Sequence, residues 1–303
     1  MADLRVTIAG VPFENPLIAA SGTFGFGHEY QEFYPLSTLG GISCKGITLK
    51  ERPGNPPPRI AEAPGGMLNA VGLQNPGVDH FIDHDLPWLK QQGTVVIANI
   101  AGNTPEDYCA MAEKLSDTDV DMIELNISCP NVKQGGVQFG TSCAGVGGIT
   151  EAVRKYCKKP LMVKLSPNVA DIGEIAAAAE AAGADAISMI NTLTGMRIDI
   201  RTRRPIIRNN TGGMSGPALL PIAVRMVWQA SQRVKIPIVG MGGISKWEDA
   251  VEMMLAGASA LQIGTVFFTD PYAPVKILDG LNRYLDERNI KSVTELTGGI
   301  QPW

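Results

Sequence analysis

The chain has 303 residues, of which 45% are hydrophobic and 18% charged, so it can bury a full core and is too apolar to be disordered. Its 26 basic and 30 acidic residues give a net charge of −4, and no dense run of lysine and arginine predicts binding to nucleic acid. No apolar run approaches the roughly 20 residues that span a bilayer, and the first ten residues lack a signal-peptide pattern, so we expect a cytoplasmic protein that binds no membrane.

Eight short apolar runs, each ending in polar or glycine residues, predict β-strands along the chain. In chain order they span 17–20, 42–45, 95–99, 122–126, 161–164, 186–190, 237–240 and 260–263. Helical patterns lie between several of them: the pattern at 105–115 follows the N-cap Thr104, and two others, at 171–182 and 246–256, stop at glycines. Strands that alternate with helices pair in parallel, so we expect an α/β fold, a (β/α)8 TIM barrel, with a doubly wound open sheet as the alternative.

The connections between these predicted strands are uneven in length. The long ones follow the second, fourth and sixth strands, at 46–94, 127–160 and 191–236. Connections longer than about 12–15 residues are usually functional in a compact domain, and the prolines and glycines at 53–66 exclude a helix there. Residues 4–13 form a predicted N-terminal hairpin that closes the barrel floor. No interdomain linker is visible, so we expect 1–303 to be a single domain.

The residues at or just beyond the carboxyl ends of the predicted strands share a chemical character. They are Ser21, Lys45, Asn99, Asn126, Lys164, Asn191, Gly242, Gly243, Gly264 and Thr265. In a barrel these positions converge on one mouth, where the active site lies. Amides recognise imide edges through paired donors and acceptors, and lysines stabilise anions. The alternative, that the polar residues merely end strands as turn formers, explains single positions but not the whole ring.

Glycines after the seventh and eighth predicted strands indicate a phosphate site. Gly242 with Gly243, and Gly264 with Thr265, lie where barrels commonly bind phosphate through backbone N–H groups. Gly216, which precedes a proline at a helix start, is a third candidate. Glycines also serve as plain turns, but the placement after the last two strands favours phosphate.

Cys129, just beyond the fourth predicted strand, is the cysteine with a candidate chemical role. An unperturbed thiol has a pKa of about 8.5, so a modest lowering suits it to general-base work, with a nucleophile or a bystander as alternatives. Cys44, Cys109 and Cys157 fall on a strand and on helical stretches and are expected to be inert, whereas Cys143 is ambiguous. An odd count without Cys-x-x-Cys pairs argues against a zinc ribbon or an iron–sulfur cluster in this chain and predicts reduced thiols.

Two further features receive a structural interpretation. His80 and His84 have the i, i+4 spacing of a metal pair, but their apolar neighbours indicate a half-buried amphipathic segment, so we expect no metal site. Glu124 lies two residues before a strand-end asparagine and is therefore expected to point into the barrel. A buried carboxylate needs a partner, and Lys45 or Lys164 can serve.

Together these motifs resemble dihydroorotate dehydrogenase. They are Ser21-Gly-Thr, Ser43-Cys-Lys-Gly46, Asn69-Ala-Val-Gly-Leu73, Asn126-Ile-Ser-Cys-Pro-Asn131, Lys164-Leu-Ser-Pro167, Asn191-Thr192, Gly242-Gly243-Ile and Gly264-Thr265. The match covers essentially the whole chain, and the segment 126–131 is its most specific part. The resemblance implies an FMN-containing barrel that oxidises (S)-dihydroorotate to orotate in de novo pyrimidine (UMP) biosynthesis.

The resemblance also implies a role for each matching residue. Cys129 is the implied base that removes the C5 proton while the C6 hydride passes to flavin N5. The implied substrate-binding residues are Lys45, Asn69, Ala70, Val71, Gly72, Leu73, Asn126, Asn131, Asn191 and Thr192. The implied FMN-binding residues are Ser21, Lys45, Gly46, Asn99, Asn126, Lys164, Ile190, Gly216, Gly242, Gly243, Gly264 and Thr265. Orotate offers a carboxylate and an imide edge, which suit lysine and asparagine, and Lys164 suits the negative charge that develops near N1 of reduced flavin.

The subclass follows from the same resemblance. Quinone-using relatives carry an N-terminal extension and a serine base, and this chain shows neither. The segment 132–141 is similar to the NAD-linked type B catalytic subunit, whose partner electron-transfer subunit holds FAD and a [2Fe-2S] cluster. We therefore expect a homodimer at the core of a heterotetramer, with electrons passed through the partner to NAD.

Several alternatives stay open at this point. A single-subunit, fumarate-linked dihydroorotate dehydrogenase and a dihydropyrimidine dehydrogenase share the site, although Lys45 and the amides favour a carboxylated substrate. A non-redox phosphate-binding lyase or synthase usually carries acidic residues at its strand ends, and a barrel that is only a binding scaffold leaves the cysteine segment unexplained. A yellow preparation would exclude these last two classes.

Overall fold

The computed structural model describes residues 2–128 and 137–303, in which eight parallel strands form a closed barrel. The barrel strands are β1 (Leu17–Ala19), β2 (Gly41–Ser43), β3 (Val95–Ile100), β4 (Met122–Asn126), β5 (Leu161–Lys164), β6 (Ala186–Met189), β7 (Ile238–Met241) and β8 (Ala260–Ile263). Each strand pairs in parallel with the next, and β8 pairs with β1. The predicted (β/α)8 barrel is confirmed, and the open-sheet alternative is wrong. Each strand begins and ends within about two residues of its predicted bounds.

Helices connect the strands and cover the outside of the barrel. Within the described ranges the α-helices are Val78–His80, Leu86–Leu89, Pro105–Ser116, Val137–Gly140, Cys143–Arg154, Ile172–Ala181, Leu220–Ser231, Trp247–Leu255 and Ala273–Glu287, with a π-helical turn at Phe81–Asp85. Single 3-10 turns lie at Tyr30–Glu32, Leu36–Thr38, Lys90–Gln92, Pro217–Leu219, Thr265–Phe268 and Val293–Leu296. The three predicted helices are confirmed, and the side chain of Thr104 caps the first of them by accepting from the N–H of Asp107. None of these helices is both long and apolar enough to cross a membrane.

An N-terminal hairpin closes the barrel at the amino ends of its strands. Its strands, Val6–Ile8 and Val11–Phe13, pair antiparallel through a two-residue turn whose φ angles are 50° and 81°, as a type I′ turn requires. Phe13 is buried, and its ring fills the space beside Gly41, where an added Cβ would lie 2.8 Å from it. The predicted hairpin is therefore confirmed, and Phe13 seals the floor of the barrel.

The long connections after β2 and β6 pair with each other in a second sheet. Its four antiparallel strands are, in spatial order, Leu193–Gly195, Gly212–Ser215, Gly66–Asn69 and Ile60–Ala63. A small hairpin of Ile198–Asp199 and Arg204–Pro205 follows the first strand. The exclusion of a helix at 53–66 is confirmed, but the sheet itself was not predicted, because each strand has three or four residues and its central pairing joins distant parts of the chain.

Candidate active site

The carboxyl ends of the barrel strands and the second sheet enclose a cavity of about 670 Å³. Most residues predicted for the site line it. They are Ser21, Lys45, Gly46, Asn69, Val71, Gly72, Leu73, Asn126, Lys164, Ile190, Asn191, Thr192, Gly216, Gly242, Gly243, Gly264 and Thr265. Ala70 and Asn99 are fully buried behind this lining. Cys129 and Asn131 lie outside the described residues.

A fully buried carboxylate, that of Glu124 on β4, lies inside the barrel next to the cavity. Four side chains from four other strands donate hydrogen bonds to it. Ser43 Oγ, at 2.6 Å, and Asn99 Nδ2 bond one oxygen, whereas Ser188 Oγ, at 2.6 Å, and Gln262 Nε2, at 2.8 Å, bond the other. The interiors of TIM barrels are usually filled by branched apolar side chains, so a layer of polar side chains around a carboxylate is unusual at this position.

Lys164 on β5 is the cation that balances Glu124. Its Nζ lies 4.0 Å from Oε2 of Glu124, and the exposed fractions of the two side chains are 5% and 0%. Burial alone raises the pKa of Glu124, but the Lys164 charge and the hydrogen bonds from Ser188, Ser43 and Gln262 outweigh it, so the pKa is lowered. Of the two lysines predicted as partners, the structure thus selects Lys164, and the carboxylate is charged at neutral pH.

A chain of hydrogen bonds runs from Glu124 to the cavity wall. Asn99, which donates to Glu124, accepts at its Oδ1 from Asn126 Nδ2 at 3.2 Å. Asn126 Oδ1 accepts from Ser128 Oγ at 3.1 Å, and Ser128 Oγ accepts from Asn191 Nδ2 at 2.8 Å. Because the charge of Glu124 requires a donor from Asn99, each amide in the chain has one favoured orientation. The side chains of Asn126 and Asn191 therefore present defined donors and acceptors to a ligand.

The stretch 69–73 reaches the cavity from the second sheet in a held conformation. Leu73 has a φ of 58°, in the left-handed region that non-glycine residues seldom adopt. Asn55 secures the preceding backbone: its N–H donates to the carbonyl of Val71, and its Nδ2 donates to the carbonyl of Ala70, both at 2.9 Å. Strained backbone of this kind persists where the surroundings impose it, often at ligand sites.

Glycines at the ends of β7 and β8, and at the end of the strand Gly212–Ser215 in the second sheet, line the cavity with backbone. Gly243 has a φ of 81°, and a Cβ there would lie 2.4 Å from the backbone nitrogen of Leu220. Gly216 has a φ of 116°, and its Cβ would lie 2.5 Å from the Cα of Gly66. The 3-10 turn Thr265–Phe268 begins after Gly264, so its first N–H groups have no acceptor within the turn.

Three residues that hold Glu124 had no role assigned from the sequence: Ser43, Ser188 and Gln262. Each is the lone polar side chain in a buried barrel strand, and that pattern was a usable signal, because a polar group in such a strand needs a partner. Gln262 also lines the cavity, and its Oε1 is buried without a hydrogen-bond partner among the described residues. An acceptor is thus available there for a ligand donor.

The cysteines within the described residues are free thiols. Burial raises the pKa of Cys44, Cys109 and Cys157, which keeps them protonated and agrees with the expectation that they are inert. Cys157 lies just beyond the helix that ends at Arg154, whereas a helical position was predicted, because the chain turns there toward β5. Cys143 is exposed at a helix start.

The segment that carries two of the three histidines is half-buried, as predicted. Phe81 is fully buried while His80 and His84 are exposed, and the two imidazole rings lie 4.5 Å apart. His80 Nδ1 is 3.3 Å from a carboxylate oxygen of Asp85. Across residues 2–128 and 137–303, no group of three or more His, Cys, Asp or Glu side chains is arranged to hold a metal ion.

The chain is similar to known proteins over nearly its whole length. The dihydroorotate dehydrogenase family model matches residues 3–285. The chain is 56% identical over 301 residues to the dihydroorotate dehydrogenase B (NAD(+)), catalytic subunit, of Parabacteroides distasonis, which covers 99% of each chain. Proteins of the same name from Alkaliphilus oremlandii and Petrotoga mobilis are 55% and 51% identical, covering 98% and 99% of this chain and 99% and 100% of theirs.

Replacing Glu124 by glutamine should lower the free energy of unfolding by about 3 kcal/mol or more, because it leaves Lys164 buried without its counter-ion. The pKa of Glu124 is lowered on folding, so its contribution is complete above the pKa of an unfolded glutamate, about 4.3, and is lost as the pH falls below that value. Urea unfolding at about pH 5.5 should therefore show the full difference in unfolding free energy between the two proteins, and the wild type should lose the Glu124 contribution as the pH falls below about 4.3.

The matched control is Glu151→Gln, which removes an exposed ion pair with Lys155 on one helix face. That pair is solvated, so the urea midpoint should hardly change. Equal effects of the two substitutions would contradict the importance of the buried pair.

Proposed function

Because the chain belongs to the dihydroorotate dehydrogenase family, we propose that it oxidises (S)-dihydroorotate to orotate in de novo pyrimidine biosynthesis, with FMN as the hydride acceptor. The observation that carries this proposal is the donor set of the cavity: Lys45 and Lys164 with the amides of Asn126 and Asn191. Orotate presents a carboxylate and an imide edge, which pair with an ammonium group and with oriented amides. Residues 1–303 are proposed to act as one catalytic domain.

The residues present fit FMN. Gly243 and Gly216 line the cavity with positive φ angles that favour glycine, and backbone without a side chain can approach a phosphate closely. Lys164 supplies a positive charge, and the unpartnered Oε1 of Gln262 supplies an acceptor for a ring N–H. The proposed FMN residues are those implied by the family motifs, with Asn99 acting through Asn126. When bound, FMN supplies a two-electron acceptor that takes a hydride.

Lys45, Asn69, Asn126, Asn191 and Thr192 are the described residues proposed to hold the substrate. The stretch around Asn69 is fixed by the second sheet, and Asn126 and Asn191 are fixed by the hydrogen-bond chain from Glu124. Binding to preformed donors and acceptors costs little ordering at the moment of reaction. Uracil and thymine lack the carboxylate that Lys45 would pair with, so the cavity favours dihydroorotate over an uncharged dihydropyrimidine.

Cys129 is proposed as the general base, and Asn131 as a further substrate contact. The residue before Cys129 is Ser128, which is fully buried and accepts from Asn191 at 2.8 Å. Gly140 lies so close to Ile127 that a Cβ would be 2.3 Å from its carbonyl oxygen, so the described chain on both sides of 129–136 meets beside the cavity wall. A base there takes the C5 proton while the C6 hydride leaves, and the C5–C6 double bond of orotate forms.

We place the protein in the cytoplasm as the catalytic subunit of an NAD-linked assembly. Relatives of this chain are named NAD(+)-linked catalytic subunits. The sequence has no G-x-G-x-x-G after a strand and no cysteine cluster, so electrons are proposed to leave through a partner subunit with FAD and a [2Fe-2S] cluster. Two copies of this chain are proposed to form the core of a heterotetramer.

The first test is the identity of the bound flavin. Purified protein should be yellow and should release one FMN per chain on denaturation. Gly243→Ala should weaken FMN binding about tenfold or more, because its Cβ would strike the backbone nitrogen of Leu220. Gly148→Ala is the control, since that helical glycine is exposed and has free space around it. Released FAD, or a colourless protein, would count against the proposed function.

The second test concerns the base. Cys129→Ala should bind orotate nearly normally, but dihydroorotate should reduce the flavin roughly 10²–10⁴-fold more slowly in stopped flow. The rate of flavin reduction in Cys129→Ser should be low at neutral pH and should increase as the pH rises, because the serine hydroxyl is deprotonated less readily than the thiol. The control is Cys143→Ala, an exposed thiol that should leave the rate unchanged. Fast reduction in Cys129→Ala would remove this residue from the chemistry.

The third test concerns the electron acceptor. The isolated chain should oxidise dihydroorotate with an artificial dye but reduce NAD poorly, and co-expression with a partner flavoprotein should restore NAD reduction. Efficient reduction of fumarate by the isolated chain would assign it to the single-subunit type instead. Robust reduction of NAD by the isolated chain would contradict the proposal that a second subunit is required.

A further inference from the structure

We propose that Glu124 is a positioning residue that keeps Lys164 positively charged and thereby limits the bound flavin to one proton per two-electron reduction. This inference rests on the proposed function, because it requires FMN in the cavity. It goes further in assigning a redox role to a residue that is fully buried and does not line the cavity itself. Glu124 acts through Lys164, which does line it.

The geometry shows that Glu124 is built to remain an anion. Four donors from four strands saturate its two oxygens, which leaves no place for a proton without loss of a hydrogen bond. An uncharged carboxylic acid needs fewer donors than this carboxylate receives. The direction of its pKa shift agrees, because the Lys164 charge and the hydrogen bonds overcome the penalty of burial.

Lys164 depends on that anion for its own charge. Its side chain is 5% exposed, and a buried ammonium without a counter-ion loses its proton readily. The Lys164 charge lowers the pKa of Glu124, and burial keeps the neighbouring Cys44 thiol neutral by raising its pKa. Lys45 lines the same cavity and adds positive charge, so it cannot replace the anion. Glu124 is thus the charge that holds the proton on Lys164.

The proton balance of the reaction follows from this pair. A hydride carries two electrons and one proton from C6 to the flavin, and the C5 proton leaves separately through the base. Lys164 would supply a positive charge to balance the negative charge that develops on a reduced flavin, so that no further proton would need to be taken up. If Lys164 were uncharged before reduction, it would have to gain a proton from solvent when the ring became negative. Two electrons would then be accompanied by two protons.

The experiment is the pH dependence of the flavin midpoint potential in holoprotein, measured by spectroelectrochemistry from pH 6 to 9. For each proton taken up on reduction, the equilibrium constant of the two-electron reduction changes tenfold per pH unit. This corresponds to a change in the midpoint potential of about 30 mV per pH unit. The midpoint potential of the wild-type protein should fall by about 30 mV per pH unit across the range, which is the slope expected for one proton per two electrons. Glu124→Gln should show the two-proton slope, of about 59 mV per pH unit, because its Lys164 is neutral until the flavin is reduced.

Two further variants separate this role from a general structural one. Glu124→Asp keeps the negative charge and should retain the one-proton slope, whereas Glu151→Gln removes only an exposed charge and should match the wild type. A one-proton slope in Glu124→Gln holoprotein would overturn the proposal. If that variant does not fold, the wild type still decides, because a two-proton slope above neutral pH would mean that Lys164 is uncharged. A protein without flavin would instead count against the proposed function.

Discussion

The site depends on holding one carboxylate charge, that of Glu124, inside a closed β-barrel. Taking an isolated charge out of water costs several kcal/mol or more, so the barrel can tolerate it only when donors and a cation surround it. Those partners come from five other strands, and their levels in the barrel are fixed by strand register: Asn99 lies opposite Glu124, and Ser188 lies opposite Lys164. A slip of one residue in any of these strands would turn its polar side chain away from the carboxylate. The charge therefore specifies one register for most of the barrel.

This constraint extends from the barrel interior to the chemistry. The anion orients Asn99, Asn99 orients Asn126, and Ser128 joins Asn126 to Asn191, so amides on three strand ends share one hydrogen-bond pattern. Preorganised dipoles of this kind do not need to reorient when charge moves in a reaction. The same anion keeps a cation next to the cavity. Such an ion pair can thus be retained for what it does to the site, even where two apolar side chains of similar volume would stabilise the barrel as well.

The rest of the cavity is built by the second sheet. Its strands approach so closely that a Cβ on Gly66 would lie 2.0 Å from the carbonyl oxygen of Ser215, which explains the glycine at this position. The sheet adds Glu62 and Met67 to the lining and fixes the backbone on either side of Asn69. Two connections that are long and irregular in sequence therefore pair to form one continuous wall of the cavity, and the barrel supplies the other.

The barrel, the approximate bounds of its strands, the N-terminal hairpin, the capped helix at 105–115 and the set of residues at the strand ends were predictable from the amino-acid sequence. Those features depend on local patterns of apolar runs, capping residues and glycines, so they can be predicted without knowledge of long-range contacts. The three-dimensional contacts were needed to show that Lys164 rather than Lys45 pairs with Glu124, that Ser43, Ser188 and Gln262 complete the shell of donors around it, and that the second sheet exists. These contacts join distant parts of the chain and leave no periodic pattern in either segment: the hydrogen bond from Asn69 Nδ2 to the carbonyl of Gly213, for example, joins residues 144 positions apart.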